Sequence, residues 1–575
     1  MSMSLSAVLD DLRAFVYAEQ EAGMVHLYEI WEKPLDNKLY KGETQQITSL
    51  EYIGNGVVKA ILGDNESKFR EGDMICLHPG DVFSSELRQV VIEAEDDGYW
   101  LLRGKLRQDK VAELKDCCYA DPDSMDLTSF YEKALSDVAT SKIGREVLLP
   151  LLNNQLNTDV LDHDRFDDVA NDAQDLGLNE KQCEAVGLGV AAKYLACIQG
   201  PPGTGKTKVI SLIARLLVEA GERVLMTSHT HMAINNALNK IAEEKVPVAK
   251  VCALGGRKAL HHDIPCFDYG NQWEDKPDNG YVIGATPFAT CSERLEQFEF
   301  DTVIFDEASQ ITMPLALMAM RKAKRYVFVG DDKQLPPVIL SQSVLKENSA
   351  FSKIAGDTES HVLLAHTYRM SEALTQWPSK RYYNGDLVSK RSPQRSVFHL
   401  AKPPTAFVDV LASEHPFVFI PTPGINARSV NLDEAKLVAE ILASAIEAGL
   451  PADEIGIVTP FRGHAKALRR CLANKLGVQR AKSIVTDTVE RMQGQEREMI
   501  IVSMCSSDPQ YIQAIAEFFF QSERLNVAVT RPQTKLILLG PEISSKFVDT
   551  LVEEKARDSA KDYCSLVSHG YRVEV

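Results

Sequence analysis

Gly200-Pro201-Pro202-Gly203-Thr204-Gly205-Lys206-Thr207 sets glycines, a lysine and a hydroxyl at the spacing that wraps a chain of phosphates. The glycines let backbone N–H groups turn inward on the anion. Lys206 reaches the terminal phosphates and the Thr207 hydroxyl ligates Mg2+. The apolar run from Tyr194 to Ile198 leads into the segment, and Val209, Ile210, Ile213, Leu216 and Leu217 follow it at helical spacing, ending near Gly221. A helix there aims its positive N-terminus at the same anion. Strand, loop and helix together predict that the chain binds a nucleoside triphosphate.

Two further segments carry chemistry. Val303-Ile304-Phe305-Asp306-Glu307 reads as a buried strand ending in two carboxylates. Asp306, at the strand end, is placed to hold Mg2+ through water, and Glu307 to orient and deprotonate the water that attacks the γ-phosphate. Adjacent acids are common, so the pair gains meaning only from its place downstream of a phosphate loop. Val329-Gly330-Asp331-Asp332-Lys333-Gln334-Leu335-Pro336-Pro337 ends a second buried strand. There the neutral Gln334 can donate to the γ-phosphate or hold the lytic water. A proline-terminated surface turn would explain the prolines but not Asp-Asp-Lys-Gln.

The positioning elements fall into two textures. Residues 3–20 and 126–152 read as helices, and an aspartate-rich stretch from Asp159 to Asp175 reads as a solvated connector. Between the helices lie short β-rich runs, Val25–Trp31, Ile47–Ile53, Val57–Leu62, Met74–Leu77, Gln89–Ala94 and Tyr99–Leu102, with turns at Gly54-Asn55-Gly56, Gly72-Asp73 and Asp97-Gly98. Their length and spacing predict a small β-barrel. From residue 178 strands and helices alternate, on either side of a break near Gly356, which predicts two tandem α/β domains with parallel sheets.

Length and charge bound the rest. A chain of 575 residues holds about four domain-sized units. Its net charge of −18 excludes a generally basic coat, so any nucleic-acid contact must be a local groove. The N-terminus carries Asp10, Asp11 and Glu19 and is no signal peptide, and the apolar stretch Val186–Ile198 is too short for a bilayer. The cytoplasm is the default compartment. Among 11 cysteines there is no C-x-x-C pair, and Cys252, His261, His262 and Cys266 fit no standard zinc spacing.

The order phosphate loop, Asp306-Glu307-Ala308-Ser309-Gln310, then Gly330-Asp331-Asp332-Lys333-Gln334-Leu335-Pro336-Pro337 resembles superfamily 1 helicases. More narrowly it resembles the superfamily 1B branch containing the nonsense-mediated-decay helicase and the flap-processing replication nuclease-helicase. Leu178–Gln182 is similar to the Q motif, Thr227–Asn236 to motif Ia, Thr367–Met370 to motif IV, Thr488–Glu496 to motif V and Arg524–Arg531 to motif VI. The likeness spans residues 178–540 in the family's order.

The resemblance implies two RecA-like domains with ATP between them. It divides the chain into a stalk helix (1–24), an accessory β-barrel (25–105), stalk helices with the acidic connector (106–177), a first RecA-like domain (178–355) and a second (356–575). By the same likeness Gly200, Pro201, Pro202, Gly203, Thr204, Gly205, Lys206 and Thr207 cradle the nucleotide and Gln182 reads adenine. Thr207 and Asp306 hold the metal, and Glu307 and Gln334 handle water. Arg369 and Arg531 reach across as arginine fingers. Phe461 stacks on adenine, Gly494 and Glu496 lie by the nucleotide, and Thr230, His231, Thr286 and Thr488 line a nucleic-acid groove. Three positions depart from the pattern: His464 for a glutamine, Asn235 for an aspartate, and Pro532 after the second finger.

The expectation is a nucleic-acid-stimulated ATP hydrolase that moves 5′→3′ on a single strand, DNA favoured over RNA. The alternative is a nucleotide-switched binding or remodelling factor that acts with a partner protein and unwinds little. A nuclease-helicase is a third class. Residues 1–177 hold neither a carboxylate–x–Lys nuclease signature nor cysteines spaced for an iron–sulfur cluster, so a nuclease is expected from a separate subunit.

Overall fold

The computed structural model describes residues 7–575 apart from 64–66, 70–71, 84–87, 97, 106–107, 114–117, 342–348, 357, 359 and 425. The start of the expected helix 3–20 and Asp97 of the expected turn lie outside the described residues.

The chain from Leu195 onward alternates buried apolar strands with helices and builds two large parallel sheets, besides a two-stranded one of His366–Thr367 and Val388–Ser389. The first orders Cys266–Phe267, Val248–Val251, Tyr281–Gly284, Arg223–Thr227, Thr302–Phe305, Arg325–Gly330, Leu195–Gln199 and His361–Leu363 from edge to edge. Its central strands are buried on both faces, as a sheet covered by helices on both sides requires. One face packs with Phe305, Phe328 and Leu317, the other with Ile198, Ile213 and Leu238. The second sheet orders Val485–Thr488, Ile455–Thr459, Arg497–Ser503, Pro532–Gly540, Phe417–Pro421 and Tyr571–Arg572.

Ahead of these sheets, six antiparallel strands close a barrel: Gln45–Gly54, Val57–Leu62, Met74–His78, Arg88–Asp96, Tyr99–Gly104 and Cys118–Pro122. Val58, Ile75, Ile92, Trp100 and Leu102 fill it. The closing strand Cys118–Pro122 pairs with both Gln45–Ile47 and Ile75–His78, and five residues offered little periodicity from which to foresee it.

Two expectations are corrected. Val25–Trp31 is not a strand but the last third of one helix, Ala7–Trp31, whose Leu27 and Ile30 are buried three residues apart. The indole Nε1 of Trp31 donates to Pro122 O at 2.8 Å, docking the helix end on the barrel. The aspartate-rich connector is also a helix, His163–Asp175, capped by the Asp162 carboxylate, which accepts from Arg165 N. Its buried Val169 and Ala173, with Phe166 and Ala170, form a stripe at 3.6-residue spacing that packs on the helix Glu180–Ala191. The aspartates are only its solvated side.

The helices Ala7–Trp31 and Thr128–Thr140 lie together, tied by Arg13 Nε donating to Glu132 at 3.0 Å, and bury Leu9, Leu12, Leu135 and Val138 in the core of the first sheet. Among the described residues no helix is long and apolar enough to cross a membrane.

Candidate functional site

Apart from Gln182, the candidate nucleotide residues of the first half sit just past the carboxyl ends of parallel strands, where open α/β sheets place their ligands. The strand Leu195–Gln199 delivers the phosphate loop, and Lys206 begins the helix Lys206–Glu219. Gly205 precedes it at φ 83°, a left-handed conformation that glycine adopts without strain. The ammonium of Lys206 donates to Gly200 O at 2.6 Å, folding the side chain across its own loop. Thr207 is half-buried in the first turn.

Gln182 is buried beneath the loop. Its Nε2 donates to Thr204 O at 3.0 Å and its Oε1 accepts from Asn179 N at 3.1 Å, completing a capping box. Both polar ends of this amide thus brace the loop and the helix entry.

Asp306 follows the strand Thr302–Phe305 and is buried. Burial pushes its carboxyl up to about 7, and the neighbouring Glu307 adds to the rise, against the pull of Lys206. A buried carboxylate at the strand end with a second carboxylate next to it, and a hydroxyl in the first turn after the phosphate loop, are a donor set suited to a divalent cation, so Asp306 and Thr207 fit Mg2+. Glu307 holds a left-handed backbone at φ 51°, uncommon for a residue with a side chain.

The strand Arg325–Gly330 delivers Asp331, which is fully buried. Its Oδ2 accepts from Gln334 Nε2 at 2.7 Å and from the Tyr383 hydroxyl at 2.7 Å. Asn526 Nδ2 donates to the same hydroxyl at 3.0 Å and to Lys333 O at 2.8 Å. Gln334 therefore points to Asp331.

The second half of the cleft closes directly on the loop. Thr367 Oγ1 donates to Pro202 O, and Tyr368 N to Gly203 O, both at 2.8 Å. A Cβ on Gly203 would lie 2.4 Å from the Cβ of Arg369, so only glycine permits this approach. Arg369 Nε donates to Glu496 Oε2 at 2.5 Å and its Nη1 to Thr530 O at 3.1 Å.

Arg531 is 1% exposed, and its donors go to Val527 O, Gln495 O and Thr530 Oγ1 at 2.8–3.3 Å. Burial first, and then the neighbouring Arg369, lower its guanidinium to about 9. Pro532 does not disturb this placement. It opens the strand Pro532–Gly540, where a missing N–H is tolerated.

The remaining candidates are placed as follows. Gly494 is exposed at φ 78° beside Glu496. Phe461 packs in an aromatic group with Tyr511, Phe518 and Phe519, its ring 6.2 Å from and nearly parallel to that of Phe519. Thr230, Thr286 and Thr488 each stand at a helix N-terminus, Thr230 and Thr286 just beyond a strand's carboxyl end and Thr488 as the last residue of one, with His231 opening the helix His231–Glu243. His464 is fully buried against the Ser503 hydroxyl at 2.8 Å, and burial holds it neutral by lowering it to about 4. Asn235 Nδ2 donates to Gly256 O and Lys258 O, both at 2.9 Å, which an aspartate could not do.

Three residues that join the halves, and one that ties the long helix to the first domain, carry no expectation of their own. Gln493 Nε2 donates to Glu307 Oε2 at 3.3 Å. Tyr383 and Asn526 bridge to Asp331 and Lys333, and Glu19 on the long helix accepts from Leu340 N at 3.0 Å and Ser341 N at 2.7 Å. Gln493 and Asn526 lay inside motifs already marked, whereas nothing in the sequence singles out Glu19.

Comparison with known proteins agrees with this arrangement. Two family models, each described as an AAA domain, match residues 177–280 with 277–342, and residues 346–542. The DNA replication ATP-dependent helicase/nuclease DNA2 of Mus musculus is 29% identical over 457 residues, 72% of this chain and 42% of that protein. Its namesake in Saccharomyces cerevisiae is 30% identical, covering 66% and 27%. Regulator of nonsense transcripts 1 of Dictyostelium discoideum is 30% identical, covering 63% and 31%. The chain thus spans less than half the length of these relatives. With its barrel, its two parallel sheets and its motifs in the family's order, the chain belongs to the ATP-dependent superfamily 1B helicases.

Proposed function

We propose that this chain hydrolyses ATP to move 5′→3′ along single-stranded nucleic acid, DNA in preference to RNA, separating duplexes as it goes. The observation that carries the proposal is the approach of Arg369 to the phosphate loop at Gly203, with Arg531 behind it and near enough to feel both Arg369 and Glu307.

Each residue then has a task. Lys206 leaves Gly200 O and pairs with the terminal phosphates. Thr207 and Asp306 hold Mg2+, which when bound offsets charge on the phosphate oxygens. Glu307, braced by Gln493 from the other half, takes a proton from the water whose oxygen attacks the γ-phosphorus as the bond to ADP breaks. Arg369 and Arg531 stabilise the charge on the phosphoryl group in flight. Gln334, held by Asp331, reports the γ-phosphate to Tyr383 and Asn526. Because the fingers and loop belong to different sheets, hydrolysis is coupled to closure, and repeated closure over Thr230, His231, Thr286 and Thr488 moves the strand.

Polarity follows from branch membership. The preference for DNA is supported by the relatives named for DNA replication, against one named for nonsense transcripts. Partial duplexes with 5′ or 3′ overhangs, in DNA and in RNA, test both. Unwinding from 5′ DNA overhangs is the expected result. Unwinding only from 3′ overhangs would overturn the polarity, and ATPase stimulated only by RNA would overturn the substrate.

A further inference from the structure

Cys252, just past the strand Val248–Val251, and Cys266, on the neighbouring edge strand, hold their sulfurs 3.4 Å apart at one edge of the first sheet. Cys252 is buried and Cys266 half-exposed. Cys266 belongs to the two-residue edge strand Cys266–Phe267, which has a neighbour on one side only and so can shift to bring the sulfurs into bonding range. Directly opposite Cys266 in register stands Lys250, fully buried, its Nζ without a hydrogen-bond partner among the described residues. Arg257 Nη2 donates to Cys266 O at 3.4 Å, setting a second cation beside the thiol.

We infer that Cys252 and Cys266 form a redox-reactive dithiol, which a hydroperoxide converts to a disulfide and a thiol reductant restores. A buried cation with no counterion beside a reachable sulfur favours thiolate, the form that attacks. The hydrogen bond from Cys252 is the main cause that lowers Cys266. It outweighs burial, and Arg257 and Lys250 reinforce it. Cys252, giving that hydrogen bond and buried, is raised. The half-exposed thiols of Cys471 and Cys564 are both raised by burial.

The roles divide accordingly. The Cys266 thiolate attacks a peroxide oxygen and breaks the O–O bond, leaving a sulfenic acid and an alkoxide or hydroxide that picks up a proton. The Cys252 sulfur, losing its proton, attacks the sulfenic sulfur and expels water. Two thiols lose two electrons and two protons, and the hydroperoxide takes them up. The bond would close the loop 253–265, which lies between two neighbours. Its Gly256 O and Lys258 O accept from Asn235 of the helix His231–Glu243. At Gly255 it presses on the barrel so closely that a Cβ there would stand 3.0 Å from Glu93 O. Oxidation thus pins the joint between barrel and sheet.

The test uses the full chain and hydrogen peroxide. Peptide mapping without reductant should show Cys252 and Cys266 peptides joined and lighter by two hydrogens, with the link lost on adding dithiothreitol. At pH 7 Cys266 should alkylate about ten-fold faster than Cys471 or Cys564. In Cys252→Ser, peroxide should leave a dimedone-trapped sulfenic acid on Cys266. Lys250→Met should slow alkylation of Cys266 while leaving Cys471 unchanged, which serves should Cys252→Ser fail to fold. Alkylation of Cys266 no faster than of Cys471, or its oxidation to sulfinic acid without a link, would overturn the inference.

Discussion

The two faces of the nucleotide cleft are unsettled in opposite senses. On the first sheet burial and Glu307 push Asp306 up to about 7, towards losing its negative charge. On the second, burial and Arg369 push Arg531 down to about 9, towards losing its positive one. Each face crowds like charges in a place where water is scarce, and neither is paired with the other. A polyanion carrying a divalent cation answers both, its cation meeting the carboxylates and its phosphates the guanidiniums. The two arginines differ as well. Arg369 already has a carboxylate in Glu496, whereas Arg531 has only carbonyls and a hydroxyl. A finger held by a carboxylate is prepositioned; one held by carbonyls keeps more of its charge for the ligand.

Mutations that strip one face at a time break this comparison. Lys206→Ala removes the cation nearest both Asp306 and the phosphates, and hydrolysis should fall below detection in a steady-state phosphate-release assay. Measurable turnover would mean that the arginines alone neutralise the triphosphate. Arg531→Ala should slow turnover on the order of a thousand-fold or more, with nucleotide affinity changed far less, because the finger acts on the transition state. Arg369→Ala should do the same and also free Glu496. Comparing kcat and KM for the two sharpens the distinction between them, and unchanged turnover in Arg531→Ala would assign the finger role to Arg369 alone.

On the acidic face, Glu307→Gln should retain ATP binding and lose about a hundred- to ten-thousand-fold in turnover, the range a positioned general base supplies. Gln493 can still hydrogen-bond the amide, so geometry survives and only proton acceptance is lost. Wild-type turnover in this variant would remove Glu307 as the base.

What the sequence disclosed follows from how local each feature is. The phosphate loop, Asp306 and the two arginines are legible because backbone shape and charge must fall at fixed spacings along a few residues. The central strands are legible because burial on both faces leaves unbroken apolar runs, such as Thr302–Phe305 and Arg325–Gly330. The barrel's closing strand Cys118–Pro122 was not, since a short strand is completed by partners far away in the chain. Val25–Trp31 misled because alternation over a few residues also fits one face of a helix. Long-range contacts are the least visible: Glu19 of the long helix meets Leu340 across more than three hundred residues, and Tyr383 of the second half meets Asp331 of the first, and no local pattern encodes either.

The smallest effect tests the tie between the faces. The Tyr383 hydroxyl donates to Asp331 Oδ2 and accepts from Asn526, so one oxygen links the strand behind Gln334 to the helix Ser522–Val529, which leads into Arg531. Tyr383→Phe keeps the ring and removes only that oxygen. Asp331 retains Gln334, while Asn526 loses one of its two acceptors but keeps Lys333 O. A lost hydrogen bond of this kind costs about 1 kcal/mol. If it holds the fold alone, the cost appears as a lower melting temperature with kcat intact. If it transmits the state of the γ-phosphate, kcat should fall about five- to ten-fold at saturating ATP, since 1.4 kcal/mol is about a factor of ten. The stimulation of hydrolysis by single-stranded DNA should weaken by a similar factor. Unaltered kcat and stimulation in a well-folded Tyr383→Phe enzyme would remove this hydroxyl as a working link and assign the coupling to the remaining contacts across the cleft, such as Gln493 with Glu307 and Asn526 with Lys333.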